Sequence, residues 1–241
     1  MSSSEPGPGS TDAWITLAGL ARETSTIRLG TLVTPVTFRL PGPLAISVAQ
    51  VDAMSGGRVE LGLGTAWYDT EHASYGIPFY DTAARFAMLE EQLEILTGLW
   101  ATPAGETYSF SGTHHVLEDS PALPKPVQQP HPPIIVGGHG PKRTPRLVAQ
   151  FADEYNLPFG SIEAFGEQEQ RVTEACEAID RNPATVTFSS ALTVCCAEDE
   201  AGLERRAAAI GQPLEMLRLS GLAGTPAELV DALGRWADAG S

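Results

Sequence analysis

Apolar residues recur along this chain in two alternating rhythms. In DAWITLAGLARET, Trp14, Leu17, Ala18 and Ala21 fall three or four apart, the spacing of a helix with one buried face. IRLGTLVTPVTF follows as a strand-forming run that ends at Pro35. The unit then repeats. LAISVAQVDAMSGGR predicts a helix closed by Gly56 and Gly57, and VELGLGTAW a second strand with a glycine-broken end. TAARFAMLEEQLEILTGLW carries Phe86, Leu89, Leu93, Leu96 and Trp100 as one apolar stripe, which leaves Glu90, Glu91 and Glu94 on a solvated face.

Residues 103–133 break the rhythm. Rich in Pro, Gly and His, they predict a small hairpin followed by an extended, polyproline-like crossing at PALPKPVQQPHPP. The alternation resumes with the strand PPIIVGG, a helix through RTPRLVAQFA, the strand DEYNLPFG, a helix around IEAFGEQEQRVTEACEAI and the strand TVTFSSALTVCCA. Two helical segments close the chain, the last with Thr225 as N-cap, Pro226 at the first helical position and Glu228 placed for a capping box. Strands alternating with helices in this way predict an α/β fold on a parallel sheet, with residues 12–241 as a single domain. The polar opening, residues 1–11, reads as a disordered tail.

Charge and composition narrow the function. The 241 residues carry a formal net charge of -15, which argues against nucleic acid or an anionic membrane as the main partner. No eighteen apolar residues run together, and MSSSEPGPGS lacks the basic start and apolar stretch of a signal peptide, so the expected setting is cytoplasmic. Cys176, Cys195 and Cys196 have no metal-ligand spacing and read as small core residues, and no metal is expected. His114 and His115, also without a partner at metal spacing, read as surface residues.

Candidate chemistry gathers where strands end. In PPIIVGGHGPKRT a β-branched strand breaks at Gly137 and Gly138 just before a helix. Such a junction presents free backbone N–H groups at a helix N-terminus, and Lys142, Arg143 and the Thr144 hydroxyl add charge and hydrogen bonds, so a phosphate group is the natural ligand. The same residues also suit a tight surface turn with solvated cations. In GLGTAWYDTEHASYG, Thr65 either meets a ligand or caps a turn, and Gly62 and Gly64 either serve that ligand or only permit strand–helix packing. Trp67 and Tyr68 either line an apolar pocket or anchor a loop. Glu71 and His72 lie side by side, His72 as a candidate acid or base or as a structural histidine bonded to Glu71.

Taken in order, TSTIRLGTLVTPVTFRLPGPLA, VDAMSGGRVELGLGTAWYDTEHASYGIPF, PPIIVGGHGPKRT and ADEYN resemble the luciferase-like monooxygenase family, strongly over residues 12–160. The resemblance implies a (β/α)8 TIM barrel holding a flavin-like ring across the C-terminal mouth of its strands. It implies an oxidoreductase that moves hydride between this cofactor and a small organic substrate or NADPH. Coenzyme F420, a deazaflavin, is the implied cofactor, with FMN as the alternative. The family's third strand often carries a bulge with a cis peptide behind the ring, matched here by Leu32–Val33. By the same comparison Thr65 and Ala66 approach the ring or ribityl chain, and Gly137 and Gly138 give N–H groups to the cofactor phosphate with Arg143 or Thr144 beside them. Glu71 and His72 stand as catalytic candidates, and Trp67 and Tyr68 as the substrate pocket.

The chain also departs from the family. Strands one, two and eight of the usual barrel have no counterpart, so the barrel is expected to be incomplete, with a homodimer or another partner chain covering its open edge. A non-catalytic cofactor-binding chain, or a structural or dimerisation subunit of the same fold, is the alternative function.

Overall fold

The computed structural model describes residues 11–241. The tail expected at 1–11 therefore lies, except for Thr11, outside the described residues. The chain forms two compact units, one ending at Pro133 and the other running from Ile134 to Ser241.

The first unit contains α1 (Ala13–Glu23), β1 (Leu29–Pro35), α2 (Pro41–Ser55), β2 (Val59–Gly64), α3 (Asp69–Tyr75), α4 (Thr82–Ala101) and the strands β3 (Tyr108–Ser111) and β4 (Val116–Ser120). The Asp12 carboxylate accepts the Ile15 N–H and so starts α1, whose apolar stripe buries Trp14, Leu17 and Ala21. β1 and β2 pair in parallel, and Leu44, Val48, Leu61, Leu63, Leu93 and Leu96 are fully buried around them. Arg58, in the turn before β2, donates to the carbonyls of Ala21, Thr24 and Ile27 at 3.0, 2.8 and 2.6 Å. A cation thus satisfies carbonyls that the end of α1 leaves open.

The excursion is a hairpin, β3 antiparallel to β4, then an extended crossing, as the sequence predicts. Its attachments were not legible. The fully buried Asp52 accepts the N–H groups of Val127 and Gln128 and the Gln128 side-chain amide, which ties the crossing to α2. Glu91 corrects a second expectation. Far from being merely solvated, it accepts the N–H groups of Thr113, His114 and His115 at 2.7, 3.0 and 2.9 Å, and His115 Nδ1 lies at 3.1 Å. His115 is accordingly buried rather than on the surface. A hairpin tip has N–H groups that no ladder satisfies, and one carboxylate on the neighbouring helix takes three of them.

The second unit contains β5 (Ile134–Gly137), α5 (Arg143–Phe151), β6 (Glu154–Pro158), α6 (Ile162–Glu177), β7 (Thr187–Ala191), β8 (Val194–Cys196), α7 (Glu200–Ile210), α8 (Leu214–Ser220), β9 (Leu222–Gly224) and α9 (Pro226–Asp238). β5, β6 and β7 pair in parallel in that order. Arg181 repeats the device of Arg58, donating to the carbonyls of Val148, Ala149 and Ala152 at the end of α5. The single strand expected at TVTFSSALTVCCA is two strands in different sheets. β6 ends at Pro158, opposite Ala191, so the chain beyond has no ladder to follow and β8 pairs with β9 instead. Around β8 a separate small core forms from Cys195, Leu203, Ala207, Leu214 and Leu217. Thr225 and Glu228 make the expected capping box.

Candidate functional site

In the first unit the candidate residues lie within β1, just after β2 and on α3. The β1–β2 register slips between Thr31 and Thr34, which makes a bulge, and within it the Leu32–Val33 peptide is cis, as the resemblance implies. Leu32 is left 57% exposed in the bulge. The glycines opposite serve close packing: a Cβ at Gly62 would stand 2.0 Å from the Thr31 carbonyl oxygen, and one at Gly64 2.7 Å from Val33 Cγ2. Below the bulge runs a chain of buried hydrogen bonds. Trp14 Nε1 donates to Thr34 Oγ1 at 3.1 Å, Thr34 donates to Thr31 Oγ1 at 3.0 Å, and Thr31 donates to the Gly62 carbonyl at 3.0 Å.

Thr65 and Ala66 follow directly after β2, half-buried, with Ala66 in the left-handed region at φ 64°. Its carbonyl is held by Arg85 Nη1 at 2.9 Å, from the first turns of α4. Arg85 is buried, lies 4.0 Å over the Phe79 ring and donates also to Thr82 Oγ1. Sequence reasoning passed over it, because one arginine on an apolar helix stripe carries no motif. Trp67, 83% exposed, packs beside Tyr68 with ring centroids 5.2 Å apart.

His72 is where the structure differs most from the sequence reading. It is 1% exposed, its Nδ1 lies 2.7 Å from the Tyr68 carbonyl and its Nε2 2.7 Å from Thr37 Oγ1, and its ring packs edge-on against Phe38 and Phe79. A carbonyl only accepts, so Nδ1 carries a proton, and in the neutral ring Nε2 accepts from the Thr37 hydroxyl. Both ring nitrogens are engaged and neither partner is Glu71. This geometry suits a pin joining the loop after β1 to α3, not an acid or base.

In the second unit the β5–α5 junction holds Gly137, Gly138, Arg143 and the buried Thr144. Gly138 has φ 135°, a conformation open to glycine and few others, and a Cβ placed there would meet within 4 Å only Thr144 Oγ1, at 3.8 Å. One detail corrects the sequence reading: the Gly138 N–H donates to the Asn156 carbonyl at 3.2 Å, so it is spent extending the sheet. The carbonyls that follow are also held. Tyr155 donates its hydroxyl to the Gly138 carbonyl at 2.9 Å, and Gln168 donates Nε2 to the His139 carbonyl at 2.9 Å. Burial pushes the Tyr155 phenol well above its ordinary value, against a smaller opposing pull from Arg171, so it remains a donor at any working pH.

Comparison with known proteins adds to this geometry. The family model described as luciferase-like monooxygenase matches residues 2–212. An F420-dependent glucose-6-phosphate dehydrogenase of Microbacterium testaceum is 34% identical over 140 residues, 58% of this chain and 40% of the dehydrogenase. An FMNH2-dependent dimethylsulfone monooxygenase of Pseudomonas putida is 29% identical over 134 residues, 54% of this chain and 36% of that enzyme. The chain thus spans less than half the length of either curated relative. Among solved structures, an F420-dependent secondary alcohol dehydrogenase in complex with an F420–acetone adduct superposes with a TM-score of 0.84 over 98% of this chain and 78% of that one, at 16% identity. At that identity the likeness speaks for the fold, an α/β fold of the TIM-barrel type.

Proposed function

The chain belongs to the luciferase-like monooxygenase family, and on that premise we propose that it is a flavin- or deazaflavin-dependent oxidoreductase acting on a small organic substrate or NADPH. The observation that carries this reading is the β5–α5 junction, where Gly138 at φ 135° leaves open space bordered by the buried Thr144 hydroxyl. Those residues fit a phosphate: backbone approaches without a Cβ in the way, a hydroxyl stands beside it, and the N-terminus of α5 favours an anion. Lys142 and Arg143 add positive charge next to the junction in a chain whose net charge is -15. That fit is shared by FMN and by F420, and relatives named for each cofactor support either; the likeness of the sequence to the deazaflavin branch puts F420 first.

When bound, the ring supplies the hydride chemistry. The chain's own residues would bind and orient. Leu32 and Val33 would back the ring from the β1 bulge, and Thr65 and Ala66 would approach the ring or ribityl chain. Gly138 would let the phosphate close on backbone, with Thr144 and Arg143 beside it. Trp67 and Tyr68 would offer aromatic faces that exclude water from the substrate. Glu71 and His72 take no proton-transfer role in this reading; His72 fixes the loop that carries Tyr68.

The test is a parallel equilibrium titration of the purified chain with oxidised F420 and with FMN, read by fluorescence. Saturable binding of one, abolished in Gly138→Asp, is expected. A folded chain that binds neither overturns the proposal.

A further inference from the structure

The Gly138 N–H is spent in the sheet, which raises the question of which N–H groups of the turn remain for an anion. The answer lies in the two carbonyls held from beneath. A trans peptide points its C=O and N–H in opposite directions, and no peptide bond between Gly137 and Gly140 is cis. With the Gly138 carbonyl drawn to the Tyr155 hydroxyl, the His139 N–H faces away from Tyr155. With the His139 carbonyl drawn to Gln168 Nε2, the Gly140 N–H faces away from Gln168. The two donors rise from one packed layer: Tyr155 packs on Phe188 at 6.2 Å between centroids, and Phe165, one turn before Gln168 on α6, packs on Phe188 at 6.4 Å. The pair therefore turns two consecutive N–H groups to the other side of the loop.

We propose that Tyr155 and Gln168 are positioning residues that turn the His139 and Gly140 N–H groups toward the cofactor phosphate, in place of those of Gly137 and Gly138. This rests on the cofactor reading above. Gln168 itself argues for it. The side chain is 3% exposed and its Oε1 has no hydrogen-bond partner, an arrangement that costs stability and that an apolar residue of the same length would avoid. Reversing the amide would set Oε1 against the His139 carbonyl oxygen, so the orientation is fixed by chemistry. What Gln168 contributes is its donor end, and that end meets only the loop.

The experiment uses the whole chain and two pairs of ligands, FMN with riboflavin and F420 with its phosphate-free deazaflavin core. In each pair the ratio of the two Kd values isolates the phosphate. Tyr155→Phe, which removes only a hydroxyl, and Gln168→Met should each lower that ratio by about three- to tenfold while leaving the phosphate-free ligand's Kd unchanged. In parallel, amide NMR spectra with FMN, F420 and inorganic phosphate should show His139 and Gly140 among the shifted signals. Cofactor binding whose phosphate ratio both variants preserve overturns the inference and leaves the cofactor reading standing. Failure of both cofactors to bind, with inorganic phosphate still shifting the two amides in wild type and not in Tyr155→Phe, overturns the cofactor reading and supports the inference. Cofactor binding that shifts neither amide overturns the inference alone; if no ligand binds, both fall.

Discussion

Arg85 Nη1 donates to the carbonyl oxygen of Ala66 at 2.9 Å, so a buried cation on α4 fixes a left-handed residue at the end of β2. Four residues of chain, Thr65 to Tyr68, are thereby held at two points, since His72 takes the Tyr68 carbonyl. Trp67 lies between the two clamps, exposed. Holding a large aromatic side chain still before a ligand arrives reduces the entropy lost on binding.

Removing the first clamp should loosen Trp67. The other three tryptophans are 3%, 5% and 8% exposed, against 83% for Trp67, so emission open to acrylamide reports on Trp67. Arg85→Met is expected to lower the anisotropy of that emission and to cost about 1–3 kcal/mol of stability. Arg85→Lys should fare little better, because an ammonium lacks the planar fork that reaches Ala66 and Thr82 together. Unchanged anisotropy in both variants would remove Arg85 from the positioning of this loop.

The second clamp separates packing from acid–base chemistry. His72→Ala is expected to destabilise the fold by about 2–5 kcal/mol, as buried large-to-small changes do, and Thr37→Val by about 1 kcal/mol. Urea unfolding measures both. In the loaded enzyme, His72→Asn should leave the pH dependence of turnover unchanged. Loss of one limb of that profile would restore His72 as the acid or base.

The β/α alternation was legible because buried strands and amphipathic helices write themselves as periods of two and 3.6. The family motifs were legible for a related reason: each is a short contiguous run, with Leu32–Val33 in the bulge inside β1 and Thr65–Ala66 and Gly137–Gly138 where β2 and β5 end. Groups that act across the chain were not. Arg85 reaches nineteen residues back to Ala66, Gln168 reaches twenty-nine back to His139, and Glu91 reaches forward to the tip of a hairpin. Periodicity places each of these three on a helix but gives no hint of its partner. The partner of His72 was misread in the same way: adjacency to Glu71 in sequence suggested a pair, while helix geometry put Tyr68, one turn earlier, within reach of its ring.

The chain from Trp14 through Thr34 and Thr31 to the Gly62 carbonyl runs in one direction, every hydroxyl giving one hydrogen bond and two of the links accepting one. Thr34→Val interrupts it in the middle and leaves the buried Trp14 N–H without a partner. A cost of about 1–3 kcal/mol is expected, with Thr34→Ser recovering most of it. Thermal unfolding of the three proteins tests this; equal stability of the valine and serine variants would mean that methyl packing, not the relay of hydroxyls, matters beneath the bulge.

Glu91 supplies a pH dependence whose sign follows from its partners. Burial by itself raises the carboxyl, but hydrogen bonds from the Thr113 and His114 N–H groups, the His115 side chain and the His115 N–H outweigh it and hold the group below its ordinary value. A carboxylate with a depressed folded value adds stability that is complete above the ordinary carboxylate range and is lost as pH falls through the depressed value. Glu91→Gln keeps the shape and one acceptor but removes the charge. It should therefore be less stable than wild type at neutral pH, by about 1–3 kcal/mol, and the gap should close as the solution is acidified. Denaturant unfolding at a series of pH values measures the gap directly. A gap that stayed constant down to the acid limit would show that Glu91 holds the hairpin by shape and not by charge.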